Sequence, residues 1–81
     1  MNFDVDVRIS LKPGILDPEA RAIQHALADL GFPTKRLSTA RVFSFSLEAG
    51  GREEAEEIAR QMCERLLANP VIHRYEVEVG E

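Results

Sequence analysis

The chain has 81 residues, with 10 Lys and Arg against 14 Asp and Glu, and a formal net charge of −4. A chain of this length forms one domain with a thin hydrophobic core, which disulfides, a metal ion or a partner chain commonly reinforce. Cys63 is the single cysteine, so an internal disulfide is excluded, and the acidic balance argues against a nucleic-acid partner. No apolar run reaches the roughly 20 residues of a membrane span, so no membrane partner is expected. We expect one domain over residues 1–81, cytoplasmic because an unpaired thiol suits a reducing compartment, that associates with other protein chains.

The first strand and the first helix are marked by a change of hydrophobic period. Apolar and polar residues alternate from 3 to 12, which is the pattern of a half-buried strand, and Pro13-Gly14 ends it. Asp17-Pro18 then supplies a helix cap followed by proline at the first helical position. Gly31 suits the left-handed residue that ends a helix. The apolar stripe of this helix consists of Ile23, Ala26, Leu27 and Leu30.

The remaining elements follow in the same manner. Residues 42–48 alternate again and predict a strand, and 34–38 predict a short strand before it. Residues 38–41, between the two, form either a hairpin turn or a bend in one long strand. Residues 55–67 have the period of an amphipathic helix, which Asn69-Pro70 stops, and 71–79 predict a last strand. The order is β-α-β-β-α-β. It predicts an α+β, ferredoxin-like two-layer sandwich with both helices on one face of a mixed sheet.

The outward positions of this sheet concentrate acidic residues. In a ferredoxin-like order the first and last strands are antiparallel neighbours, so Asp4 and Asp6 are expected near Glu76 and Glu78. Like charges that face each other destabilise a sheet. Two interpretations of this acidic patch stay open: it contacts arginines of another chain, or it is a solvated face.

No constellation of residues predicts catalysis or metal binding. His25 and His73 fall in different elements without the spacing of metal ligands, and Cys63 lies on the apolar face of the second helix, where it is a core residue. The serines lack a nucleophile elbow and a base. A protein-binding domain is therefore the expected function. The alternatives are a ligand-sensing regulatory α+β domain that binds a small molecule at a homodimer interface, and a stand-alone small enzyme, which no residue supports.

Four segments in order along the chain resemble the PurS family, the small subunits of formylglycinamidine ribonucleotide amidotransferase. They are VRISLK at 7–12, GILDP followed by IQHAL within 14–27, MCE leading into LLANPVI within 62–72, and YEVE at 75–78. Two positions depart from the family pattern. Ala20 stands where the family usually has glycine, and Ala40-Arg41 stands where it usually has Gly-Lys.

The resemblance implies an assembly role in purine biosynthesis. It implies a complex that converts formylglycinamide ribonucleotide, ATP and glutamine to the amidine, ADP, phosphate and glutamate. A PurL-type synthetase subunit would use ATP and magnesium, and a PurQ-type glutaminase subunit would release ammonia. The PurS-like chain would bind no cofactor alone, and would form a homodimer or a larger homo-oligomer. We expect partner contacts at Lys12, Asp17, Arg41 and Asn69, although a helix cap and a helix stop explain Asp17 and Asn69 equally well.

Overall fold

The computed structural model of the chain describes residues 1–80. Its elements are β1 (Asn2–Leu11), α1 (Pro18–Asp29), β2 (Ala40–Glu48), α2 (Arg52–Met62), a π-helical turn that continues α2 (Cys63–Leu67), and β3 (His73–Gly80). The strands are ordered β2-β1-β3, and both pairings are antiparallel. The expectation of a mixed sheet was therefore wrong. The α+β class, with two helices and an antiparallel sheet, is confirmed. None of the helices within residues 1–80 has the length and apolar character needed to cross a membrane.

The core lies between α2 and the odd-numbered side of the sheet. The central strand contributes Phe3, Val5 and Val7, which are all fully buried. Alternation in β1 sends these side chains to one face, because successive residues of a strand point to opposite faces. From α2 and its π-helical turn, Ala55, Ala59 and Cys63 are fully buried at a spacing of four residues, and their small size lets the helix lie close to β1. The prediction that Cys63 is a core residue is confirmed.

Helix α1 projects beyond the end of the sheet instead of packing on it. Ala20 is its single buried residue. A ten-residue strand spans about 33 Å and a twelve-residue helix about 18 Å, and these lengths sum to the 51 Å long axis of the molecule. The radius of gyration is 16.0 Å, against about 12 Å for a compact domain of this size. The placement of both helices on one face therefore needs correction, since α2 alone covers that face.

The width of the sheet explains this placement. Residues 34–38 are irregular, and Arg36 has a positive φ of 56°, so the short extra strand does not form and the sheet has three strands. Three strands at about 4.8 Å spacing make a surface 10–15 Å wide, which one helix of about 10–12 Å diameter fills. No room is left for a second helix beside α2.

The segment after α1 runs back along it, and we call residues 18–39 the arm. Gly31, with φ of 92°, ends α1 as predicted, and the Phe32 amide donates to the Leu27 carbonyl at 2.8 Å. The Gln24 side chain donates to the Thr34 carbonyl at 2.8 Å. These bonds make the arm a defined substructure that stands apart from the core.

The uncovered, even-numbered face of the sheet carries the expected acidic patch. Asp6 lies directly opposite Glu78, whereas Glu76 lies opposite Arg8. Asp4 accepts a hydrogen bond from the Ser46 hydroxyl at 2.7 Å. The predicted proximity of these carboxylates is confirmed, and one of the four faces an arginine across the strands.

Candidate functional site

The four residues predicted to contact partners lie at the same end of the sheet, which we call the polar end. Because β1 is antiparallel to both neighbours, its last residues lie beside the first residues of β2 and β3. Lys12 follows β1, Arg41 lies opposite Ile9 at the start of β2, and Asn69 precedes β3. Asp17 precedes α1 in the same region. Topology therefore brings together residues that are up to 57 positions apart in the sequence, from Lys12 to Asn69.

Asp17 ties the arm to the polar end. Its Oδ1 accepts the Ala20 amide at 3.0 Å, which caps α1, and its Oδ2 accepts the Thr39 amide at 3.3 Å and the Thr39 hydroxyl at 2.8 Å. The Ala20 backbone hydrogen bond, followed by the Thr39 hydroxyl, lowers the pKa of this carboxyl below its ordinary value. The helix-cap interpretation is confirmed, while the contact with a partner stays a prediction.

Asp17→Ala is expected to lower the melting temperature of the chain in a pH-dependent manner. The lowered pKa means that the carboxylate stabilises the fold fully above its ordinary pKa of 3.8, and that this contribution is lost as the pH falls through the folded-state value. The difference between wild type and variant should therefore be largest near neutral pH and shrink in acid, as followed by thermal unfolding in circular dichroism. Asp29→Ala, at the other end of α1, is the matched control. A difference that is the same at every pH would contradict the role assigned to Asp17.

Lys12 and Asn69 hold the loop that leads into β3. The Lys12 amide donates to the Ile72 carbonyl at 2.8 Å, and its ammonium group donates to the Pro70 carbonyl at 2.7 Å. The Asn69 side-chain oxygen accepts the Val71 amide at 3.0 Å. Asn69 thus forms the predicted helix stop, and Lys12 pins the following turn while remaining exposed.

His73 is a residue of the polar end whose role the sequence did not indicate. Its Nδ1 accepts a hydrogen bond from the Asn69 amide at 2.9 Å. A nitrogen that accepts this bond carries no proton, so the neutral imidazole has its proton on Nε2 and presents a donor there. His73 lies opposite Leu11 in the sheet. The four-residue interval between Asn69 and His73 was the available signal, but it becomes meaningful only once the turn is known.

A small cleft opens at the polar end, between the start of α1 and the odd-numbered face of the sheet. We call it the end cleft, and its volume is about 260 Å³. Its polar lining includes Glu19, Arg41 and His73, and its apolar lining includes Ile9, Leu11 and Leu67. Of the four predicted residues, Arg41 lies in this cleft, whereas Lys12 and Asp17 line a neighbouring one.

The described residues do not gather into a metal site, and their single thiol is not activated. Within residues 1–80, no three His, Cys, Asp or Glu side chains are grouped as metal ligands would be. Burial, followed by the nearby Glu64 carboxylate, raises the pKa of the Cys63 thiol, so this sulfur is a poor nucleophile. His25 and His73 line different clefts. The fold defines a small α+β chain, and its polar end gathers the side chains that were predicted to contact partners.

Comparison with known proteins identifies the family. Residues 4–81 match the family model described as PurS: Phosphoribosylformylglycinamidine (FGAM) synthase. The chain is 46% identical over 81 residues to the phosphoribosylformylglycinamidine synthase subunit PurS of Methanothermobacter thermautotrophicus, covering 100% of this chain and 96% of the relative. It is similar to Methanocaldococcus jannaschii PurS, with a TM-score of 0.88, 41% identity and coverage of 98% and 96%. A chain of PurLQS from Thermotoga maritima gives a TM-score of 0.89, 31% identity and coverage of 98% of both chains. The chain therefore belongs to the PurS family of phosphoribosylformylglycinamidine synthase subunits, as the resemblance of its motifs indicated.

Proposed function

We propose that the chain is the non-catalytic assembly subunit of a phosphoribosylformylglycinamidine synthase, where it bridges a PurL-type synthetase and a PurQ-type glutaminase. The observation that supports this most strongly is the match to the PurS family over residues 4–81. The likeness to a chain of PurLQS from Thermotoga maritima, over 98% of both chains, supports a PurL-type and a PurQ-type subunit as the partners. Such a role needs surfaces for other chains, and we assign it to the polar end and the arm.

The reaction of the complex consumes formylglycinamide ribonucleotide, ATP and glutamine, and releases the amidine, ADP, phosphate and glutamate. We assign ATP and magnesium to the synthetase and no cofactor to this chain alone. We place the complex in the cytoplasm, where the single, unpaired Cys63 stays reduced.

A second copy of the chain is the partner proposed for the arm. Ile23, Leu30 and Phe32 are 40%, 71% and 62% exposed. Leu30 directly follows α1 with helical backbone angles, and it lies two helical turns beyond Ile23 on the same side. Monomeric proteins seldom leave such apolar surfaces uncovered. Alongside α2 and its π-helical turn lies a groove of about 430 Å³ lined by Ile58, Met62 and Leu66. Two copies related by a twofold axis can place each arm against the groove of the other, because such an interface uses the same surfaces twice.

At the polar end, Lys12 and Arg41 are proposed to contact carboxylates of the synthetase. The double variant Lys12→Ala with Arg41→Ala should weaken binding to the purified synthetase by about tenfold, mainly through slower association and with less dependence on salt. Biolayer interferometry at two salt concentrations measures both effects. Lys35→Ala with Arg65→Ala removes two other exposed cations and should leave binding unchanged. Equal binding of wild type and the polar-end variant would reject these two contacts.

The coupling of two activities tests the proposed function. Purified synthetase and glutaminase are assayed for amidine formation with either glutamine or ammonium chloride as nitrogen source, with and without this chain. We expect the glutamine-dependent rate to require the chain and the ammonium-dependent rate of the synthetase to persist without it. An equal glutamine-dependent rate in the absence of the chain would overturn the proposal.

A further inference from the structure

The end cleft lies where the helical layer stops covering the sheet. Alternation places Arg41 and His73 on the odd-numbered face, which α2 and the π-helical turn cover as far as Leu67. Arg41 and His73 belong to β2 and β3, which flank β1 on either side. Two strand spacings, about 10 Å, separate these two strands. The gap between the two side chains is therefore wide enough for a small group to enter, with Ile9 and Leu11 of β1 between the two strands.

The end cleft carries charges of both signs, and these charges form no ion pair with other described residues. Arg41 provides a guanidinium group, and the Nε2–H of His73 provides a second donor, because its Nδ1 is engaged by the Asn69 amide. Glu19 provides a carboxylate in the same lining. Among residues 1–80 the ion pair found is that of Arg60 with Glu57, so neither Arg41 nor Glu19 is neutralised by a neighbour there.

We propose that the end cleft binds a free α-amino acid with an uncharged side chain. Its carboxylate would accept hydrogen bonds from Arg41 and His73, and its ammonium group would face Glu19. The side chain would pack against Leu11 and Leu67. A simple anion such as phosphate fits less well, since Glu19 repels it. The volume of about 260 Å³ lies below the range of drug-sized ligand sites, about 300–1,000 Å³, and suits a ligand of amino-acid size.

Titration with L-leucine tests the site directly. The isotope-labelled chain is followed by two-dimensional ¹H–¹⁵N spectra, and we expect saturable shifts confined to the end cleft, including Leu11, Thr39 and His73. Two probes that each lack one charge are the matched ligands: 4-methylpentanoate has no ammonium group and 3-methylbutylamine has no carboxylate. Each probe should bind at least about tenfold more weakly than L-leucine, because one charge-assisted contact is lost.

Two variants connect the shifts to the proposed contacts. Arg41→Gln and Glu19→Gln should each weaken L-leucine binding by about tenfold, whereas Arg8→Gln, which removes an exposed cation from the uncovered, even-numbered face of the sheet, should leave it unchanged. The proposal is wrong if L-leucine causes no saturable shifts, if the two singly charged probes bind as well as L-leucine, or if Arg41→Gln binds as wild type does. The site goes beyond the assembly role. L-leucine binding is measured on the chain alone. A negative result would therefore disprove this site without bearing on the assembly role, which glutamine-dependent synthesis by the complex tests.

Discussion

Phe3→Ala is expected to lower the free energy of unfolding by about 3–5 kcal/mol. Phe3 is 1% exposed in the central strand and is among the largest fully buried side chains. Its removal forfeits the transfer free energy of the ring and leaves a cavity that the neighbouring strands and helix cannot close. A domain of 81 residues has about 4–12 kcal/mol of stability in total, so the variant loses a large share of it. Urea unfolding followed by circular dichroism measures the effect.

Val42→Ala is the control for this prediction. Val42 is 59% exposed on the uncovered face of β2, and truncating it should change the free energy of unfolding by less than about 0.5 kcal/mol. Association contributes to apparent stability, so both variants and the wild type are compared at the same series of protein concentrations. Similar losses for the two variants would contradict a core placed between α2 and the odd-numbered face of the sheet.

The double variant Ile23→Glu with Leu30→Glu is expected to weaken self-association by about a hundredfold or more. Burying an apolar side chain of this size contributes about 1.5–3 kcal/mol, so two of them correspond to at least that factor in the dissociation constant. The introduced carboxylates add the cost of burying a charge. The fold should persist, since neither residue is among the buried residues of the core. Sedimentation velocity over a range of concentrations measures the oligomeric state.

His25→Glu with Ala28→Glu is the matched control for the arm. These exposed residues lie on the opposite side of α1 from Ile23 and Leu30, so the variant adds two carboxylates away from the apolar stripe. It should associate as wild type does. If both double variants weaken association equally, the effect is one of charge and not of the apolar stripe. If neither does, another surface joins the copies.

Local signals in the sequence predicted local structure well. Asp17-Pro18 marks the start of α1, Gly31 its end and Asn69 the stop after α2, because each acts through bonds to residues a few positions away. The strict alternation in β1 predicted its buried and exposed sides. The position of α1 could not be predicted in this way. Periodicity shows which side of a helix is apolar, but the width of the sheet decides whether there is room to cover it.

The candidate site was also predictable only in part, because local signals mark single residues but the fold decides which residues come together. Lys12 and Arg41 stood out as cations next to strand ends, and antiparallel pairing brought those ends together. The contributions of Glu19 and His73 were not visible. The tautomer of His73 depends on a hydrogen bond from the Asn69 amide, and Glu19 reaches the end cleft only because α1 starts there.

The most direct test of the assembly role is the molar mass of the complex formed from purified components. The synthetase and the glutaminase are mixed with magnesium, ADP and glutamine, with and without this chain, and are analysed by size-exclusion chromatography with light scattering. We predict one species containing all three proteins when the chain is present, and separate synthetase and glutaminase peaks when it is omitted. Elution of the synthetase and glutaminase together to the same extent without the chain would contradict its role as the subunit that joins them.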